Sequence, residues 1–139
     1  MTGADVVAAA TTLLGTPFVH QGRLPGKALD CAGVVVATAS ALGIAHTDVV
    51  AYGRIPALGI LRAVLDSQPE LVSVSPADLQ PGDVLLMRFK KEPQHLAIFA
   101  GKTIIHAWQV IGRVVQHDFD SAWCRRVVAA YRFREVSNG

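Results

Sequence analysis

HLAIFAGKTIIHAW, residues 95–108, contains two apolar runs joined by Gly101-Lys102. Short runs rich in β-branched and aromatic residues, bounded by Gly, read as strands. A two-residue turn at Gly101-Lys102 sets the register so that Ala97 faces His106 and His95 faces Trp108. His95 and His106 then share one face as diagonal neighbours, roughly 7–8 Å apart between backbones. A loop of odd length would place the two imidazoles on opposite faces.

The same texture extends outward on both sides. Asp83 to Phe89 follows the turn signal Gln80-Pro81-Gly82, while Arg113 to Phe119 and Arg126 to Arg134 complete a meander. The Arg-rich end, Arg125 to Arg134, reads as one exposed strand face. Upstream of Leu71 the pattern is helical. Thr2 and Asp5 make a Thr-x-x-acid start, and the Ala- and Leu-rich run after them stops at Gly15 and Pro17. This run is almost uncharged, which predicts deep burial. Asp30 can cap a second helix from Cys31 to about Leu42, ended by Gly43. Val34-Val35-Val36 argues for a strand there, but length, Ala content and the absence of polar/apolar alternation favour helix. A third helix is expected from Pro56 to about Asp66, with Leu58, Leu61 and Leu65 on one face. Gly22 to Ala28 reads as a loop. Helices first and an antiparallel meander afterwards is the pattern of an α+β fold.

With 139 residues, 51% of them hydrophobic, 17% charged and 12 glycines, the chain is expected to form one domain, 1–139, with a real core. Thirteen Lys and Arg against eleven Asp and Glu leave a formal charge of +2. That is too small a bias to suggest nucleic acid as a partner. Every apolar run is interrupted well before the roughly 18 residues of a spanning helix, so membrane insertion is not expected. Asp5 is the only charge in Met1 to Gly15, and no basic stretch precedes the apolar run. A secretory signal is therefore not expected, and the chain reads as made in the cytoplasm. Two cysteines, Cys31 and Cys124, do not suggest a disulfide framework.

Cys31 falls at a helix start, where unpaired N–H groups and the helix dipole favour an anion and can lower a thiol pKa. Cysteine is also a common small core residue, so position alone leaves both readings open. His95 and His106 on one face change the balance. A thiol nucleophile needs a base to take its proton, and the base needs a third group to fix its tautomer. Cys31, His95 and His106 supply one of each. The same residues with Cys124 could be imagined as a zinc set, but there is no Cys-x-x-Cys or His-x-x-x-His pairing, so no metal is expected. Arg88, Lys90 and Lys91 form a basic cluster just before His95, read as a solvated hairpin face or an attractor of carboxylates. Trp108 and Trp123 read as core or as groove walls. His20, His46 and His117 have no partner that the spacing identifies.

LLGTPFVHQGRLPGKALDCAGVV, LQPGDVLLMRF, HLAIFAG and IIHAW follow one another in an order and spacing that resembles the NlpC-type cell-wall cysteine peptidases, the NlpC/p-sixty superfamily. GTPFVHQGR before DCAG, and AYGRIP before the third helix, resemble its phage tail-assembly branch. The likeness covers most of the chain from Leu13 to Trp108. It implies a papain-like fold, with about three N-terminal helices packed on a five- to six-stranded antiparallel sheet. It also implies roles: Cys31 the nucleophile, His95 the general base and His106 the orienting residue. Asp30 would cap the nucleophile helix, the Cys31 N–H would serve the oxyanion, and Gly33 would allow close packing. Phe18, His20, Gln21 and Trp108 would stand along a substrate groove. The substrate implied is a peptidoglycan stem peptide, cut between γ-D-glutamyl and a diamino acid, with no cofactor or metal. Other phage tail proteins would be partners, and the virion tail would deliver the enzyme to the wall. Phe18 stands where the family commonly has Tyr, and Ala32 where Ser is commoner. The missing hydroxyl keeps open a structural tail-assembly role with weak or lost peptidase activity. Thiol amidase or acyltransferase chemistry on another substrate is a third reading.

Overall fold

Thr2 starts helix α1 (Gly3–Thr11) with the reciprocal bonds its sequence predicts: its Oγ1 accepts from the Asp5 N–H, and its own N–H donates to Asp5 Oδ2 at 2.8 Å. In the computed structural model, which describes residues 1–48, 59–89 and 93–137, α1 buries only Gly3, Val6 and Ala10. The expected deep burial is therefore corrected to a single stripe. The remaining apolar residues of α1 are mostly alanines, which cost little when left in water.

Between α1 and the next helix, the stretch expected as plain loop folds into a two-stranded ribbon, β1 (Arg23–Leu24) with β2 (Ala28–Leu29). Helix α2 (Cys31–Ala41) follows, as helix and not strand, with Asp30 Oδ1 accepting from the Gly33 N–H at 2.8 Å. It buries Cys31, Gly33, Val34, Val35, Thr38 and Ala39. A Cβ on Gly33 would collide with the Gly22 carbonyl oxygen, so only glycine lets α2 lie this close to the preceding loop. Helix α3 is shorter than expected. It runs Ile60–Asp66, because Gly59 at φ 72° stands in the left-handed region just ahead of it. The expected first turn at Pro56 and the AYGRIP segment lie outside the described residues.

The main sheet has six antiparallel strands in the order β3-β8-β4-β5-β6-β7. They are β3 (Leu71–Val74), β4 (Val84–Arg88), β5 (Pro93–Phe99), β6 (Thr103–Trp108), β7 (Arg113–Asp118) and β8 (Val127–Phe133). The chain is thus α+β with the papain-like arrangement expected. Strand β3 was not resolved as a strand by the sequence, and it displaces β8 from the edge. The reading of Arg125 to Arg134 as one exposed face is corrected accordingly. β8 lies between β3 and β4, buries Ala129, Ala130, Tyr131 and Phe133, and turns Arg132 onto the fully buried Asp83 at 2.8 Å. Asp83 also accepts from the Gln80 N–H at 2.8 Å, which fixes the Pro81-Gly82 turn into β4. Cys124 ends the helical turn α4 (Ser121–Cys124), capped by Asp120, and so precedes β8 and does not start it. No described helix is long and apolar enough to cross a membrane.

Candidate active site

Strands β5 and β6 pair only at Ile98 with Ile105 and at Phe99 with Ile104. This is the register expected for a Gly101-Lys102 turn, but the ladder ends before it reaches His95 and His106. Phe99 directs its N–H to the Asp83 carbonyl (2.8 Å) and its carbonyl to the Gly82 N–H (2.7 Å), both on the β4 side. By the alternation of an antiparallel strand, the Leu96 N–H points toward β6, where the ladder has opened. The Cys31 thiol takes that place. It receives hydrogen bonds from the backbone N–H groups of Leu96 and Ala32. The helix-start cysteine and the strand-start histidine are thereby brought to adjacent positions on β5.

The same opening lets the imidazoles meet. His95 Nε2 lies 2.6 Å from His106 Nδ1. His106 is fully buried and His95 is 6% exposed. Trp108 stacks on His106 with ring centres 5.6 Å apart at 25°, so it walls the imidazole from one side. Phe89 covers His95 with ring centres 4.9 Å apart, and the Arg126 guanidinium lies over Phe89. Burial pushes His95 down to about 3, helped by the Arg126 charge. It pushes His106 down to about 2, helped by the neighbouring histidines. The thiol moves the opposite way, up to about 12. Burial is the main cause and the Asp30 carboxylate adds to it, against the Leu96 and Ala32 amides and Arg23, which lower it. Burial thus works against the charged form of each group, the thiolate of Cys31 and the imidazolium of His95.

Asp30 has a second task beyond capping. Its Oδ1 accepts from Arg23 Nη1 at 2.8 Å and its Oδ2 accepts from the Gln21 N–H at 2.9 Å. Arg23 also reaches Asp48 at 2.9 Å. The loop carrying Phe18, His20 and Gln21 is therefore tied to the same carboxylate that starts α2. Phe18 packs against the core, its N–H donating to the Gly112 carbonyl at 2.9 Å. Gln21 takes a positive φ of 60° where the loop turns. Of the first four amides of α2, Val34 donates to the Asp30 carbonyl, Gly33 to the Asp30 side chain and Ala32 to the thiol. For the Cys31 N–H there is no acceptor among the described residues.

His117, for which the spacing identifies no partner, and Trp123, read as core or groove wall, stand beside this cluster. His117 Nε2 lies 2.8 Å from His106 Nε2. Trp123 sets its ring against His106 and His117, with centres 5.2 and 4.7 Å apart. The signal for His117 was present, since strands ending at Trp108 and beginning at Arg113 put His117 on the His106 face. That is the pairing observed. Trp123 had no such signal, because α4 brings it there from outside the ladder. Among the described residues, no three His, Cys, Asp or Glu side chains form a group that could hold a metal ion. The basic cluster is described only at Arg88, since Lys90 and Lys91 lie outside the described residues.

No curated protein matches the chain. Among solved structures, it is similar to the NlpC/p60 domain of the peptidoglycan hydrolase SagA, at 26% identity and TM-score 0.62, covering 99% of this chain and 100% of that one. An NlpC/P60 family protein from Bacillus cereus gives TM-score 0.71 at 20% identity, covering 96% of this chain and 40% of that one. The peptidoglycan hydrolase RipB from Mycobacterium tuberculosis gives 0.67 at 15% identity, over 98% of this chain and 65% of that one. The chain thus spans well under half of the Bacillus cereus protein. The NlpC/P60 family model matches residues 15–132. Because that span runs unbroken from the end of α1 into β8, and so takes in every element that places the thiol and the imidazoles, the chain belongs to the NlpC/P60 family.

Proposed function

We propose that the chain is a cell-wall hydrolase, and more narrowly a cysteine endopeptidase acting on peptidoglycan stem peptides. The observation that carries this reading is the opened β5–β6 ladder, which sets the Cys31 thiol at the Leu96 amide next to His95, itself bonded to His106. Kinship with SagA, named as a peptidoglycan hydrolase, supports the substrate class. His95 Nε2 is occupied by His106, so Nδ1 is the ring nitrogen available to the thiol proton. As sulfur attacks the amide carbonyl, the proton passes to His95 Nδ1 and the Cys31 N–H meets the forming oxyanion. His95 then protonates the leaving amine as the C–N bond breaks. Water, deprotonated by the same nitrogen, releases the acid from the thioester and restores the thiol.

The bond between γ-D-glutamyl and a diamino acid is the proposed target, and attachment to a phage or prophage tail is the proposed means of delivery. Phe18 lacks a hydroxyl and packs into the core, which favours a structural tail role as the second reading. Digestion of purified peptidoglycan by the parent chain and by Cys31→Ala, with released peptides identified by mass spectrometry, tests the proposal. Cleavage by the parent alone is expected and names the bond. A Cys31→Ala protein that cleaves as well as the parent refutes it.

A further inference from the structure

We propose that His117 is a positioning residue that sets the tautomer of His95 through His106, and so decides whether His95 can act as a base toward the thiol. This rests on the reading of Cys31 and His95 as nucleophile and base. One partner in the row has no choice of role. His117 Nδ1 lies 3.0 Å from the carbonyl oxygen of Asp118, and a carbonyl only accepts. The neutral ring of His117 therefore carries its hydrogen on Nδ1, which leaves the Nε2 lone pair to accept. At 2.8 Å, that lone pair requires a hydrogen on His106 Nε2. His106 Nδ1 is then an acceptor, and at 2.6 Å it requires the hydrogen of His95 on Nε2. His95 Nδ1 is left bare, the state a general base needs.

Each histidine passes on a donor-or-acceptor choice made at the surface end of the row. Trp108 and Trp123 pack against the middle and outer imidazoles and hold the rings of His106 and His117 in place. If His117 were replaced by a group that can only donate, the row would run backwards. His106 would carry its hydrogen on Nδ1, His95 would accept at Nε2 and carry its own on Nδ1, and no lone pair would face the thiol. The chain of three is also what makes His106 a relay and not only a prop, since its two nitrogens have opposite roles.

The test uses the full chain with Cys124→Ser, so that alkylation reports Cys31 alone. Ring-nitrogen NMR assigns the tautomers of His95, His106 and His117 in this parent, in His117→Gln and in His117→Lys. Alkylation by iodoacetamide at neutral pH is followed in each. The parent is expected to carry hydrogens on His95 Nε2, His106 Nε2 and His117 Nδ1. His117→Gln, whose side-chain oxygen accepts at the same place, restores the His95 and His106 tautomers. His117→Lys moves both hydrogens to Nδ1 and slows alkylation by roughly a hundredfold. A parent with its His95 hydrogen on Nδ1 overturns the proposal, even if no variant folds. A folded His117→Lys with the parent's tautomers overturns it as well. If the tautomers shift as stated but the parent leaves peptidoglycan uncut, the relay stands and the hydrolase reading falls.

Discussion

Replacing Asp30 by Asn separates two effects that the same carboxylate exerts on α2. Asp30 Oδ1 accepts from the Gly33 N–H and from Arg23, while Oδ2 accepts from the Gln21 N–H. Asn is as good an N-cap as Asp, so the bond to Gly33 survives. Its amide nitrogen cannot accept, so with the remaining oxygen on Gly33 and Arg23, the Gln21 N–H loses its partner at a cost of about 1–3 kcal/mol. The Arg23 ion pair loses its charge. Arg23 keeps Asp48, and with its side chain 16% exposed it can be resolvated in part, so this adds about 1 kcal/mol. The sum, about 2–4 kcal/mol, is within the usual stability of a domain, so the variant folds.

The thiol responds in the opposite sense. The Asp30 charge is the second cause raising Cys31 to about 12, so its removal lowers the thiol pKa. Burial is the larger cause and persists, which holds the pKa above its ordinary value. Urea unfolding measures the first effect. The second is read from the pH profile of thiolate absorbance and of iodoacetamide alkylation, in a Cys124→Ser background because Cys124 is exposed. A folded Asp30→Asn protein with an unchanged or higher thiol pKa would refute the electrostatic account. A stability loss below about 0.5 kcal/mol would refute the account of Asp30 as the tie between loop and helix.

Two further outcomes follow from packing and burial. Gly33→Ala drives a methyl group into the Gly22 carbonyl, a backbone atom that cannot swing aside, and is expected to cost about 3 kcal/mol in a denaturant melt. Gly43→Ala, at φ 70° with nothing within 4 Å, is the control and should cost about 1–2 kcal/mol, so equal losses would discount the contact. His95 and His106 titrate near 6.5 when unfolded but only at about 3 and about 2 when folded. Between those values the unfolded chain binds more protons, so stability is full above pH 6.5 and falls on acidification. Two groups give up to about 2.7 kcal/mol per pH unit. A chain equally stable at pH 7.5 and 5 would show that the imidazoles are not held neutral.

The parts of this fold that rest on local rules were legible along the chain. Thr2 and Asp5, Asp30 and Gly33 carry their reasons within a few residues, because caps and close approaches are made by near neighbours. The Gly101-Lys102 turn likewise set the register that puts His95 and His106 on one face. The rest came from contacts between residues far apart in the chain. β8 is a central strand because distant β3 covers its edge, and Arg132 is turned inward by Asp83 across 49 residues of chain. The β5–β6 ladder ends before Leu96, whose amide meets a thiol from a helix elsewhere in the chain, and no pairing rule along β5 and β6 contains that fact. His117 joins His106 through a register that the strand ends permitted, but its role depends on the direction of hydrogen bonds. That direction is settled by a carbonyl at the far end of the row, and by the packing that surrounds it.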